Sequence, residues 1–153
     1  MVKFLLAAGE AVDARDHDGS TPLVAAAFAS KPKVVALLLE AGASPDACTA
    51  DGDTALMFAA MKGCAECVRL LLLAGARTGC ANCAGGTALH VAAANCQPEV
   101  VALLLEAGAD PAARDSCGRS PTSIAAAAAG TGGDEAQRVL LLLRGAEMRQ
   151  RGR

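Results

Sequence analysis

Glycine recurs along this chain on a fixed period of 33 residues, and it does so in two separate series. Gly19, Gly52, Gly85 and Gly118 form the first, and Gly9, Gly42, Gly75 and Gly108 the second, after which Gly145 follows 37 residues later. Two anchors keeping one period mean a tandem array of one supersecondary unit, and the step of 37 in place of 33 predicts a four-residue insertion in the last unit. A unit this short cannot bury an apolar face alone, so neighbouring units must cover it and the array must stack.

The residues around the anchors give the unit its form. Each glycine of the first series opens a similar phrase: Gly19-Ser20-Thr21-Pro22-Leu23, Gly52-Asp53-Thr54-Ala55-Leu56, Gly85-Gly86-Thr87-Ala88-Leu89 and Gly118-Arg119-Ser120-Pro121-Thr122. The hydroxyl residue is placed to cap a helix N-terminus, and proline fits the first turn, where its missing N–H is harmless. A break follows near Ser30, Gly63 or Cys96, and then a Val/Leu run such as Val34–Leu39 makes a second helix. Gly42, Gly75 or Gly108 ends that helix as the residue able to adopt the left-handed conformation beyond its last turn. About ten residues rich in Gly, Pro and Asp, as in Ala43 to Gly52, turn the chain into the next unit.

Composition agrees with close helix packing through small side chains. Alanine fills 37 positions and leucine 19, whereas the chain has three Phe and no Trp or Tyr. A net charge of −2 gives no electrostatic footprint for nucleic acid or an anionic membrane surface. Apolar runs such as Leu70–Leu73 are cut off within a few residues, far short of a membrane span. The start, Met1 to Gly9, has an apolar run too short for a secretory signal and is followed at once by Glu10 and Asp13. Seven cysteines, an odd number, then read as reduced thiols in an intracellular setting, cytoplasmic or nuclear.

The period and the phrase Thr87-Ala88-Leu89-His90-Val91-Ala92 resemble the ankyrin repeat. The resemblance covers one domain over residues 1–153: a half repeat at 1–15, full repeats at 16–48, 49–81 and 82–114, and a stretched repeat at 115–153. It implies an all-α repeat solenoid in which helix-turn-helix units are joined by projecting β-hairpin loops, with a concave face formed by hairpins and first helices. Only the third full repeat keeps the histidine of the phrase, the slot holding Val24, Met57 and Ser123 elsewhere. Thr122 replaces leucine in the last repeat, whose first helix is expected to pack less well, and the insertion within Gly130–Asp134 is expected to lengthen the turn between its helices. Opening on a half repeat suggests a fragment of a longer protein. The tail arginines Arg144, Arg149, Arg151 and Arg153 suit an exposed last helix.

Chemistry-bearing patterns are few. Cys64-Ala65-Glu66-Cys67 and Cys80-Ala81-Asn82-Cys83 have the paired spacing of a zinc site. The repeat register puts one pair at the start of a second helix and the other past its far end, about 13 Å away, so no metal is expected. No bridge is expected between Cys64 and Cys96 either, one helix-packing distance apart. His17 and His90 offer no partnered base, and neither a phosphate loop nor a nucleophile elbow is present. No catalytic residue and no cofactor is therefore expected.

Two classes of function remain: a non-catalytic module binding a partner protein on the concave face, and a regulatory or targeting domain of a larger enzyme, for instance a kinase inhibitor. A monomer, or part of a longer chain, fits both. The family's exposed slots hold Asp18, Ser20 and Phe28 in the first full repeat and Asp51, Asp53, Met61 and Lys62 in the second. The later repeats offer mainly small side chains there, among them Ala84, Gly86, Ala94 and Ala127. Large apolar groups with an acidic rim make these seven residues the expected partner-binding site, for a basic and apolar segment. The alternative is that Phe28 and Met61 merely fill the groove between adjacent inner helices.

Overall fold

A computed structural model describes residues 11–130 and 133–152. Most of the half repeat expected at 1–15, with Thr131 and Gly132 of the insertion and Arg153 of the tail, lies outside these. The described residues form eight helices in pairs: α1 (Pro22–Phe28) with α2 (Pro32–Glu40), α3 (Ala55–Lys62) with α4 (Ala65–Leu73), α5 (Ala88–Ala94) with α6 (Pro98–Glu106), and α7 (Pro121–Ala129) with α8 (Asp134–Arg151). The inner helices α1, α3, α5 and α7 pack in succession, and the outer helices α2, α4, α6 and α8 form a second row behind them.

Each inner helix begins where the phrase places it. Thr21 Oγ1 accepts from the Val24 N–H at 3.4 Å, Thr54 Oγ1 from Met57 at 3.3 Å and Ser120 Oγ from Ser123 at 3.2 Å. The helices then break at Ser30, Gly63 and Cys96, all three left-handed, with φ of 53°, 68° and 53°. Stacking buries one set of slots repeatedly: Leu23, Leu56 and Leu89 on inner helices, and Val35, Val68 and Val101 with Leu38, Leu71 and Leu104 on outer ones. Alanines such as Ala27, Ala60 and Ala93, also buried, let the inner helices approach closely.

The last repeat departs from the expected register. Gly145 does not end its helix: α8 runs for 18 residues and carries Gly145 in its interior. A step of 37 would put Leu141 in the slot of Leu104, yet Leu141 is 62% exposed while Leu140 and Leu143 are buried. The insertion is also shared between turn and helix, because α7 has nine residues where α5 has seven. Thr122, half-buried, directs its hydroxyl to Glu147 Oε1 at 2.6 Å, in place of the buried leucine of the other repeats. Asp134 and Glu135 in the first turn of α8 and Arg149 and Arg151 in its last complement the helix dipole.

The loops between repeats are tight turns without strands. Among the described residues the only β pairing outside helices is an isolated bridge between Cys48 and Thr54. Neighbouring turns are joined edge to edge by one backbone bond at each junction: the N–H groups of Ala50, Cys83 and Ser116 donate to the carbonyls of Asp18, Asp51 and Ala84, at 3.1, 2.9 and 3.0 Å.

Candidate functional site

The projecting turns owe their shape to their first residue. Asp16 Oδ1 accepts from the N–H groups of Asp18 (3.0 Å) and Ser20 (2.8 Å). Asn82 Oδ1 does the same for Ala84 and Gly86, and Asp115 Oδ1 for Cys117 and Arg119. In the second full repeat Thr49 Oγ1 takes over one of these bonds, from the Asp53 N–H at 3.2 Å. These side chains fold the turn back on itself and leave its second and third residues at the tip. The tips are therefore where the sequence is free to vary, and only Asp18 and Asp51 put carboxylates there, on adjacent turns that share a backbone bond.

The inner helices add an aromatic pair to the same two repeats. Phe28, at the end of α1, is 50% exposed. Its ring meets that of Phe58 on α3 edge to face, with centroids 5.7 Å apart and planes at 86°. The Lys62 ammonium lies over the Phe28 ring, 4.3 Å from its centroid. Met61 is half-buried on the same helix. Phe28 thus both packs against the next repeat and keeps half its surface open, combining the two alternatives set out for it.

The seven expected site residues are distributed as follows. Asp18, Asp51 and Lys62 are exposed, and Ser20, Asp53 and Met61 are half-buried. The Asp53 carboxylate is occupied, accepting from Asn82 Nδ2 at 2.8 Å, and so ties the second turn to the third. Contacts bring together Phe28 and Lys62, and a backbone bond joins the Asp18 and Ala50 turns. Phe58, absent from the expected set, is the residue that holds Phe28 on edge. Its signal was available, since Phe58 stands where the neighbouring repeats have Ala25 and Val91 and is one helical turn before Met61.

Outside this surface, His90 and Arg77 are held by structural partners. His90, 3% exposed, has Nδ1 facing Thr87 N at 3.2 Å and Nε2 facing the Arg119 carbonyl at 3.1 Å. His17 is exposed on the first turn. Arg77 pairs with Asp46 at 2.8 Å. All seven cysteines are free, and among the described residues no three His, Cys, Asp or Glu side chains are grouped to hold a metal ion. No described helix is long and apolar enough to cross a membrane.

Comparison with known proteins adds one finding. A family model described as ankyrin repeats, in three copies, matches residues 1–82, 31–115 and 72–151. No curated protein matches the chain. Ankyrin repeats generally bind other proteins and are generally non-catalytic. With the repeat period, the paired helices and the family match agreeing along almost its whole length, the chain belongs to the ankyrin-repeat family.

Proposed function

We propose that this domain is a non-catalytic interaction module that holds a partner protein on the face built by the turns and inner helices of its first two full repeats. The observation that carries the reading is Phe28, a large ring half open to solvent but held by Phe58 and Lys62. A ring already ordered in the free protein loses little rotamer freedom on binding, which is what an anchor requires. Asp18 and Asp51 at the tips of the same two repeats supply an acidic rim, with Ser20 and Asp53 two residues further along each turn and Met61 in the slot that Phe28 holds one repeat earlier. The complementary partner is a protein segment that is both basic and apolar, and no nucleic acid or cofactor enters the reading. Seven free thiols fit an intracellular setting.

The test starts from partners recovered from native extract and measures their affinity for the wild type and for Phe28→Ala/Met61→Ala. The double variant should retain its helicity and unfolding profile but bind at least about 30-fold more weakly, corresponding to about 2 kcal/mol. Raised salt should slow association through the loss of steering by the aspartates. Normal binding by the double variant, together with loss of binding in Asn95→Ala or Arg119→Ala, would place the site on the other half and overturn the reading.

A further inference from the structure

The proposed surface makes no use of the Cys64-Ala65-Glu66-Cys67 motif. Cys64 is the N-cap of α4, and Cys67 occupies the third helical position, one turn on. Their Sγ atoms are 3.0 Å apart, about 1 Å beyond the length of a disulfide bond. The two sulfurs differ in access: Cys64 is partly exposed, whereas Cys67 is fully buried. Burial, the Cys64 side chain and Glu66 together push the Cys67 thiol up to about 12, so Cys64 is the sulfur that meets a reagent first. No side chain caps α4, and although the Ala65 N–H donates to the Gly63 carbonyl, the N–H groups of Glu66 and Cys67 in its first turn remain available to a thiolate at the N-cap.

The repeat supplies its own control. Lys31 and Gln97 stand where Cys64 does, and Val34 and Val100 where Cys67 does. Neither slot needs sulfur for the stack to form, yet the second full repeat has sulfur in both.

We infer that Cys64 and Cys67 form a redox-active dithiol, which closes into an intrachain disulfide on reaction with a low-molecular-weight disulfide such as oxidised glutathione. The Cys64 thiolate attacks one sulfur of the reagent; that S–S bond breaks, and the first glutathione leaves as a thiolate and is protonated. Cys67 then gives up its proton and attacks Cys64 Sγ, releasing the second glutathione. Two protein thiols are oxidised to one disulfide, one reagent disulfide is reduced to two thiols, and both protons pass from protein to glutathione. The new bond closes the start of α4 two residues after Lys62. This inference does not rest on the binding surface.

The test equilibrates the full chain in glutathione buffers from fully reduced to mostly oxidised, quenches with acid, alkylates and digests with trypsin. Cleavage after Lys62 and Arg69 isolates a peptide, residues 63–69, holding both cysteines and no others. The expected product is that peptide lighter by two hydrogens, without added glutathione, resistant to alkylation and restored by dithiothreitol. Cys67→Val, which copies the neighbouring repeats, should keep the fold and leave glutathione attached to Cys64, and Cys64→Gln should leave Cys67 as a free thiol. A wild-type peptide that remains a dithiol throughout, or that retains glutathione without closing, overturns the inference.

Discussion

The Nε2 atom of His90 lies 3.1 Å from the carbonyl oxygen of Arg119, in the projecting turn of the next repeat. The Thr87 N–H faces Nδ1 at 3.2 Å and can only donate, so Nδ1 is the unprotonated nitrogen and Nε2–H donates to Arg119. One side chain therefore caps α5 and ties it to the following unit. Val24, Met57 and Ser123 hold this slot elsewhere and cannot reproduce both bonds.

Replacing that imidazole should be costly. His90→Ala leaves the buried Thr87 N–H without its partner, at about 1–3 kcal/mol, and takes from the Arg119 carbonyl the bond that crosses repeats, leaving it only the Asp115 N–H of its own turn. Urea unfolding measures this, and a loss under about 0.5 kcal/mol would show that the two bonds contribute little. Hydrogen exchange should quicken in α7 more than in α1, because the severed tie leads only to the last repeat.

A second prediction concerns the breaks between inner and outer helices. Ser30 and Cys96 take φ of 53°, a left-handed conformation that costs a residue with a Cβ about 1–2 kcal/mol, while Gly63 serves the same place at φ 68°. Ser30→Gly should therefore stabilise the protein by about 0.5–1 kcal/mol, part of the relief being offset by the greater freedom of glycine in the unfolded chain. The reverse change, Gly63→Ala, should destabilise, because it would put a Cβ on a left-handed backbone at φ 68°; the Gln97 amide that the Cβ would meet is the free end of a flexible side chain and can move aside. Equal midpoints for Ser30→Gly and the wild type in thermal unfolding would contradict the strain assigned to this turn.

The third prediction is a pH dependence. The Asp115 carboxyl accepts from the Arg119 N–H, the Arg119 guanidinium and the Cys117 N–H, which hold it below its ordinary value of 3.8. A group whose value is lowered on folding stabilises fully above its ordinary value and loses that contribution as pH falls through its own, lower midpoint. The last turn should thus stay ordered down to mild acid and loosen only below 3.8. The side-chain carbon resonance of Asp115 should titrate with a midpoint under that value, and an ordinary midpoint would refute the assignment. Asp115→Asn, copying Asn82, should keep the turn and remove its acid sensitivity.

Repetition made most of this architecture legible. Thr21, Thr54 and Ser120 cap helices where the phrase placed them, and the breaks at Ser30, Gly63 and Cys96 fall on one period. The last repeat was less readable because a helix tolerates an interior glycine for about 1 kcal/mol, so Gly145 was no certain stop. Four consecutive leucine-family positions, Leu140–Leu143, also fit more than one register, and packing against α7 decides which are buried. Phe58 was missed for another reason: slots counted along the chain say nothing of how far a ring reaches across to the next repeat. The spacing of Cys64 and Cys67 was plain, but only the geometry at the start of α4 brings their sulfurs to 3.0 Å.

The final prediction is the order in which the stack opens. Units in such arrays contact only their neighbours, so stability is local and the least buried end opens first. Helices α1, α3 and α5 bury four, five and five residues, whereas α7 buries two, Pro121 and Ala125, and has Thr122 where the others bury leucine. Exchange protection should accordingly be highest around Leu71 and Leu104, both fully buried in the outer row, and lower across α7. Leu71→Ala, which empties a central slot, should cost about 2–5 kcal/mol and lower protection in α4 and its neighbours α2 and α6. Uniform protection from α1 to α7, or a cost under about 1 kcal/mol for Leu71→Ala, would mean that the repeats do not divide the stability in this way.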